Sequence, residues 1–235
     1  MFFLWGAKRA DMKALAKIPS SDCKIYQLCK TKAGFVPYYL RLVMVRMLHS
    51  NAKHALAYAF LLRLCEGSEE VPTRVKAMMC YISATNAGNN ILRAHFAFMA
   101  YRAGVSISRL VEITRGAGDA SVGSTSGEPD DKEEMAMAMA QAASYDANSL
   151  LSPELVSVIS WLYSPAAVIE LVTTISLQSA FHRWTSVYVP MSYEPEVENF
   201  LGMDGNGVML DLPLEGPAFK CQEDWDELAR ETRQR

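Results

Sequence analysis

Two apolar helical patterns, separated by a short break, constrain the fold of this chain most strongly. They occupy Arg74 to Gly104, RVKAMMCYISATNAGNNILRAHFAFMAYRAG. Apolar residues recur at helical spacing on both sides of the break, which predicts two helices that each bury one face. The second pattern includes His95, whose imidazole is therefore predicted to point inward. In the break, Gly88 can end the first helix and an asparagine can cap the second. The break consists of Asn86, Ala87, Gly88, Asn89 and Asn90.

The rest of the chain also shows a helical period. Helices are predicted over Ala33 to His49 and then through AKHALAYAFLLRLCEG to Gly67, and the boundary residues Pro72, Ser106, Asp131, Ser152 and Ser164 predict the starts of five more. After Pro190 the period fades, with turns predicted over 204–207 and a short helix over 225–233. We find no run of alternating β-branched residues long enough to build a sheet. The predicted fold class is all-α.

Composition points to a helix-rich globular protein without a strong charge. Half of the residues are hydrophobic, and the net charge of -3 makes nucleic acid and anionic membranes poor partners. Five cysteines without a C-x-x-C pair suit free thiols in a reducing compartment. The opening MFFLW is too short for a signal peptide, and no stretch is long and charge-free enough to span a bilayer. We therefore expect a cytoplasmic protein.

Residues 116–131, GAGDASVGSTSGEPDD, interrupt the helical pattern with a run rich in glycine, serine and aspartate. A mobile surface loop or a linker between two helical halves is the interpretation that this composition favours. A phosphate-binding loop is disfavoured, because no Gly-Lys-Ser/Thr follows and no strand precedes it. The four histidines show no i, i+4 pairing with one another, so no metal site is predicted. No cofactor is expected either.

Larger stretches of the chain resemble the alkyl hydroperoxidase D-like and carboxymuconolactone decarboxylase-like superfamily. The stretches are AGFVPYYLRLVMVRMLHSNAKHALAYAFLL, PTRVKAMMCYISATNAGNNILRAHFAFMAYRAGVSISRLVEI and SPELVSVISWLYSPAAVIELVTTISLQSAFHRWTSVY. Their shared landmarks are Gly34, Pro37, Arg74, His95, Gly104 and Arg183. The resemblance implies an orthogonal helical bundle over 33–190, between an N-terminal extension, 1–32, and a C-terminal extension, 191–235. It also implies a homo-oligomer.

The chain departs from the peroxidase branch of this superfamily at its reactive thiols. With His95 placed on the family histidine, the two cysteine positions fall at Gly88 and Ile91 or at Asn89 and Leu92. The glutamate of that branch falls at Lys76 or Ala77. Peroxide reduction by thiols needs a nucleophilic and a resolving cysteine, so we expect it to be absent. Cys80 is predicted to be a buried structural cysteine.

The decarboxylase branch lacks the thiol pair and keeps the histidine, so its chemistry is the one that the resemblance favours. That chemistry is proton transfer on a lactone or related small acid, for which His95 would serve as general acid or base. Asn86, Asn89 and Asn90 would donate hydrogen bonds to a developing oxyanion or enolate. The other substrate-binding candidates are Tyr81, Arg93, for a substrate carboxylate, and Met99. The predicted function is a lyase or isomerase that acts without a cofactor on a small apolar or aromatic-derived metabolite.

Two other interpretations stay open. In one, the protein is a catalytically silent member that binds a ligand or a protein, with His95 a core residue, the asparagines helix caps and Arg93 solvated. In the other, which ranks last, Cys80 or another thiol carries redox chemistry. His182 and Arg183 are predicted at a subunit contact, and the apolar side chains are predicted in the core or an oligomer interface. These are Met78, Met79, Phe96, Phe98, Met99 and Trp161.

Overall fold

The computed structural model describes residues 70–116, 131–145, 151–187 and 193–213, together with Thr31, Phe35 and Pro37. These residues form helices and contain no strand, which confirms the all-α prediction for the described part of the chain. The predicted helices before residue 70, most of the loop over 116–131 and the helix over 225–233 lie outside the described residues.

The helices of the described residues, in chain order, are α1 Thr73–Asn86, α2 Asn90–Arg102, α3 Ile107–Gly116, α4 Asp131–Tyr145, α5 Pro153–Leu162, α6 Pro165–Val187, α7 Pro195–Gly202, a 3-10 turn Met203–Gly205 and α8 Asn206–Met209.

The break between α1 and α2 has the structure that its residues predict. Gly88 adopts φ +63°, a left-handed conformation that glycine takes without steric cost. Asn89 then caps α2, since its Oδ1 accepts a hydrogen bond of 3.1 Å from the backbone N–H of Leu92. The chain reverses direction here, and α1 and α2 pack against each other.

Helix α1 lies at the centre of the bundle. Every residue from 75 to 84 is buried, and Met78, Tyr81 and Ala84 are completely inaccessible to solvent. The helix packs against α2, α4 and α6, so no side of it is free to face water along most of its length. The polar side chains on α1 must therefore find their partners inside the protein.

The long helix α6 and its neighbour α5 begin as predicted. Ser152 caps α5 through a bond of 3.2 Å from Leu155 N–H, and Ser164 accepts 3.1 Å from Ala167 N–H at the start of α6. Trp161 is 83% exposed and Ile169 is 68% exposed, so the prediction of a core position for Trp161 is wrong, while an oligomer interface stays a prediction. No described helix combines the length and the apolarity that crossing a membrane requires.

Residues 193–213 are more regular than their sequence pattern predicts. The turn is present, with positive φ at Asp204 and Gly205, but helix α7 precedes it. Its apolar residues are too few to give a visible period. Phe200 packs against Phe98 and Tyr101 of α2 at ring-centroid distances of 5.6 and 5.2 Å. This segment is therefore part of the core that surrounds α2.

Candidate active site

His95 points inward, as predicted, into surroundings that are aromatic rather than polar. It lies in the second turn of α2 and is only 3% exposed. Its ring makes T-shaped contacts with the rings of Phe35 and Phe96, at centroid distances of 5.5 and 5.1 Å. Burial lowers the pKa of His95 from 6.5 to about 3. The imidazole is thus neutral at physiological pH and is available as a neutral hydrogen-bonding group rather than as a cation.

A second histidine, the half-buried His182, changes the stability with pH in the same direction. Burial lowers its pKa to about 4. In the unfolded chain both rings take up protons below about pH 6.5, whereas the folded chain resists protonation, so stability falls as the pH falls from 6.5 towards 4. We expect the two rings together to cost about 3 kcal/mol between pH 6.5 and 5. Urea unfolding at pH 6.5 and pH 5 measures this decrease in the free energy of unfolding. For His95→Gln the decrease should be about half of that for the wild type, and an equal decrease in both proteins would contradict the expectation.

The three asparagines of the break do not converge on one point. Asn89 caps α2, and its Nδ2 also donates a hydrogen bond of 2.6 Å to Thr185 Oγ1 on α6. Asn86 donates 3.1 Å to Gln141 Oε1 on α4. Asn90 is exposed at the first position of α2. The structure therefore uses Asn86 and Asn89 to hold neighbouring helices.

The remaining candidates also have defined partners or surroundings. Tyr81 is completely buried, with its hydroxyl 2.5 Å from Thr114 Oγ1. Arg93 is buried and donates to the backbone oxygens of Leu210 and of Asp211, the latter at 3.3 Å. Arg93 thus holds the C-terminal segment against α2. Met99 is half-buried and packs against the hydrophobic core.

A stripe of buried polar side chains on α6, which sequence reasoning missed, faces α1 and the start of α2. His182 Nε2 lies 3.2 Å from Ser83 Oγ on α1, and Thr185 accepts from Asn89. The spacing of three or four residues was the signal that could have found it. We call it the α6 polar stripe; its members are the buried Glu170, Thr174, Gln178 and Thr185 and the half-buried His182.

The first member of the α6 polar stripe forms a buried ion pair. Glu170 Oε1 accepts a hydrogen bond of 2.6 Å from Lys76 Nζ, and Glu170 Oε2 accepts one of 3.1 Å from the backbone N–H of Val71. Both charged side chains are at most 10% exposed. Lys76 is one of the two positions that the resemblance aligned with the glutamate of the peroxidase branch. A lysine whose charge is balanced by α6 occupies that region here.

Comparison with solved structures identifies the fold. The debrominase Bmp8, as a cysteine-to-alanine variant in complex with 2,3,4-tribromopyrrole, matches with a TM-score of 0.60 and 22% identity over 83% of this chain and 93% of that chain. Its apo structure matches with a TM-score of 0.59, 21% identity and coverage of 83% and 94%. The fold is that of Bmp8. The described residues form an all-α bundle, which confirms the predicted fold class.

Sequence comparison adds no closer assignment, since no protein-family model and no curated protein matches the chain. Bmp8 is an enzyme that binds a small brominated pyrrole. Within the described residues of this chain, no group of three or more side chains of the metal-binding types is placed to hold an ion. Cys80 is a reduced thiol that is buried in α1.

Proposed function

We propose that this protein is a member of the alkyl hydroperoxidase D-like superfamily that converts a small apolar or aromatic-derived metabolite by proton transfer, without a reactive thiol or a cofactor. The neutral imidazole of His95 is the proposed acid or base. The reaction class is that of a lyase or isomerase: decarboxylation, cyclisation or rearrangement.

The enclosed imidazole is the observation that carries this proposal. His95 is 3% exposed between two aromatic rings, and burial lowers its pKa to about 3. A neutral imidazole in a site of low dielectric can donate a hydrogen bond to a developing negative charge, and that charge raises the pKa of the ring so that it can take up a proton in the transition state. The aromatic rings of Phe35 and Phe96 favour an apolar, flat substrate over a charged one. A brominated pyrrole, the ligand of Bmp8, has these properties.

A second function, ligand binding without turnover, is favoured by a different observation. Asn86 and Asn89, proposed above as hydrogen-bond donors to substrate, are engaged with Gln141 and Thr185. Arg93 is engaged with backbone oxygens near the C-terminus of the described chain. A site served by His95 alone would have fewer groups to stabilise a transition state, while an apolar ligand could still bind beside the ring.

A panel of small molecules separates the two functions. The panel contains 2,3,4-tribromopyrrole, indole, phenol and a small unsaturated lactone, and binding is measured by the shift of the thermal midpoint. Turnover is followed by mass spectrometry without added reductant. Conversion of any member supports the enzyme, and binding without conversion supports the ligand-binding protein. If no member is bound, the proposed ligand class is wrong.

Thiol chemistry makes a separate prediction at Cys80. This residue is buried, and its helix carries no second cysteine. We expect Cys80→Ala to keep turnover within about twofold, because neither an activated thiolate nor a resolving thiol is supplied there. Native alkylation with iodoacetamide should likewise leave activity intact. Loss of activity on alkylation that Cys80→Ala prevents would contradict this and restore the redox interpretation.

A further inference from the structure

Gln178 carries a buried, unsatisfied side-chain oxygen within the α6 polar stripe. Its side chain is 5% exposed, and among the described residues its Oε1 has no hydrogen-bond partner. The two threonines of the stripe are satisfied within their own helix: Thr174 donates a hydrogen bond of 2.8 Å to the backbone oxygen of Glu170, and Thr185 donates one of 2.8 Å to that of Phe181. A buried carbonyl without a donor costs free energy, and such groups call for an explanation.

The position of Gln178 shows what lies opposite it. One turn after it, His182 meets Ser83, and two turns before it, Glu170 meets Lys76. Residues four apart share a face of a helix, so Gln178 faces the part of α1 between Lys76 and Ser83. The helical register therefore directs the buried side chain of Gln178 towards the seam between α1 and α6.

The charges along this seam select a neutral ligand. Residues 171–181, LVTTISLQSAF, include no charged side chain. The Glu170 carboxylate already accepts hydrogen bonds from Lys76 and from the backbone of Val71. His182 is uncharged at neutral pH, because burial lowers its pKa to about 4. No unpaired charge among these residues would balance a bound anion or cation. A neutral N–H or O–H group, in contrast, could donate a hydrogen bond to Gln178 Oε1.

We propose that the α1–α6 seam contains a binding subsite for a neutral ligand, with Gln178 Oε1 accepting a hydrogen bond from an N–H or O–H donor of that ligand. The inference rests on the proposed function, since it takes the ligand to be the small apolar metabolite. The subsite narrows the substrate of the proposed function to one class: an apolar or aromatic molecule that carries one hydrogen-bond donor. The buried apolar residues of α6 beside the stripe are suited to the body of such a molecule; they are Leu171, Ile175, Leu177 and Phe181.

Matched ligands and matched variants test the subsite. Calorimetry gives the dissociation constants of indole and 1-methylindole, and of phenol and anisole, for the wild-type protein and for Gln178→Met, which keeps the length of the side chain. We expect the wild type to prefer each donor compound by about tenfold, as the loss of one hydrogen bond implies, and Gln178→Met to lose that preference. Thr174→Val is the control and should keep it, because the Thr174 hydroxyl is satisfied within its own helix.

The thermal midpoint without ligand gives an independent reading. Removing an unsatisfied acceptor should leave the midpoint of Gln178→Met unchanged or higher. A fall of more than about 4 °C would show that the oxygen is satisfied within the protein, and it would overturn the subsite. An unchanged donor preference in Gln178→Met would also overturn it, as would failure of the wild type to bind indole and phenol. Binding or conversion of the lactone would then leave the proposed function standing without this subsite.

Discussion

Replacing Glu170 by alanine is expected to lower the free energy of unfolding by about 3 to 5 kcal/mol, the range for breaking a buried ion pair from one side. The Lys76 ammonium lies 2.6 Å from the carboxylate, and both side chains are at most 10% exposed. The substitution leaves the ammonium charge in a site from which water is largely excluded. It also removes the acceptor of the Val71 N–H before α1 begins. Urea unfolding followed by circular dichroism gives the measurement.

The double variant Lys76→Met, Glu170→Leu is the matched control. Replacing both charges with apolar groups of similar size removes the uncompensated charge, so most of the lost stability should return. Glu133→Gln is a second comparison, because in the Arg74–Glu133 ion pair of 3.1 Å it leaves behind an arginine side chain that is 48% exposed. That change should cost less than about 1 kcal/mol. A cost below about 1 kcal/mol for Glu170→Ala as well would show that the buried pair contributes little to the bundle.

The second large effect is expected on activity. His95→Gln should lower turnover of a substrate found in the panel by about two to four orders of magnitude, the usual contribution of a positioned acid or base. An amide can replace the hydrogen bond of the imidazole, but it cannot carry the proton. The thermal midpoint should stay nearly unchanged, because Gln is neutral, as the buried imidazole is at physiological pH.

His95→Phe is the companion variant for this experiment. Phenylalanine keeps an aromatic ring beside Phe35 and Phe96 and has no ring nitrogen. It should bind the apolar ligands of the panel and should not convert them. Turnover equal to that of the wild type in either variant would remove His95 from the chemistry. Loss of ligand binding in both variants, with turnover absent from the wild type, would favour the ligand-binding protein.

Local features of the fold could be predicted from the sequence because each depends on residues close together in the chain. Asn89, Ser152 and Ser164 cap helices through the backbone N–H of the residue three positions later. Gly88 reverses the chain because it accepts a positive φ. Helix α7 was missed because eight residues give too few repeats of an apolar period.

The candidate site was harder to predict because its contacts join distant parts of the chain. The sequence period indicated that His95 points inward, but one of the rings beside it, Phe35, comes from a segment 60 residues earlier. Ser83 and His182 are 99 positions apart, and nothing in either local pattern shows that they meet. The same holds for Asn89, whose cap was predicted and whose bond to Thr185 was not.

The central claim is that His95 stays neutral among aromatic rings and contacts the ligand there. It is tested most directly by NMR of the imidazole nitrogens in histidine-labelled protein, assigned with His95→Gln and titrated from pH 7 to about pH 5 with and without a ligand that shifts the thermal midpoint. We expect the His95 resonances to stay at neutral-imidazole positions throughout the titration, because burial lowers the pKa to about 3, and to move when the ligand is added. Titration of this ring near pH 6.5, or resonances that do not respond to a bound ligand, would contradict it.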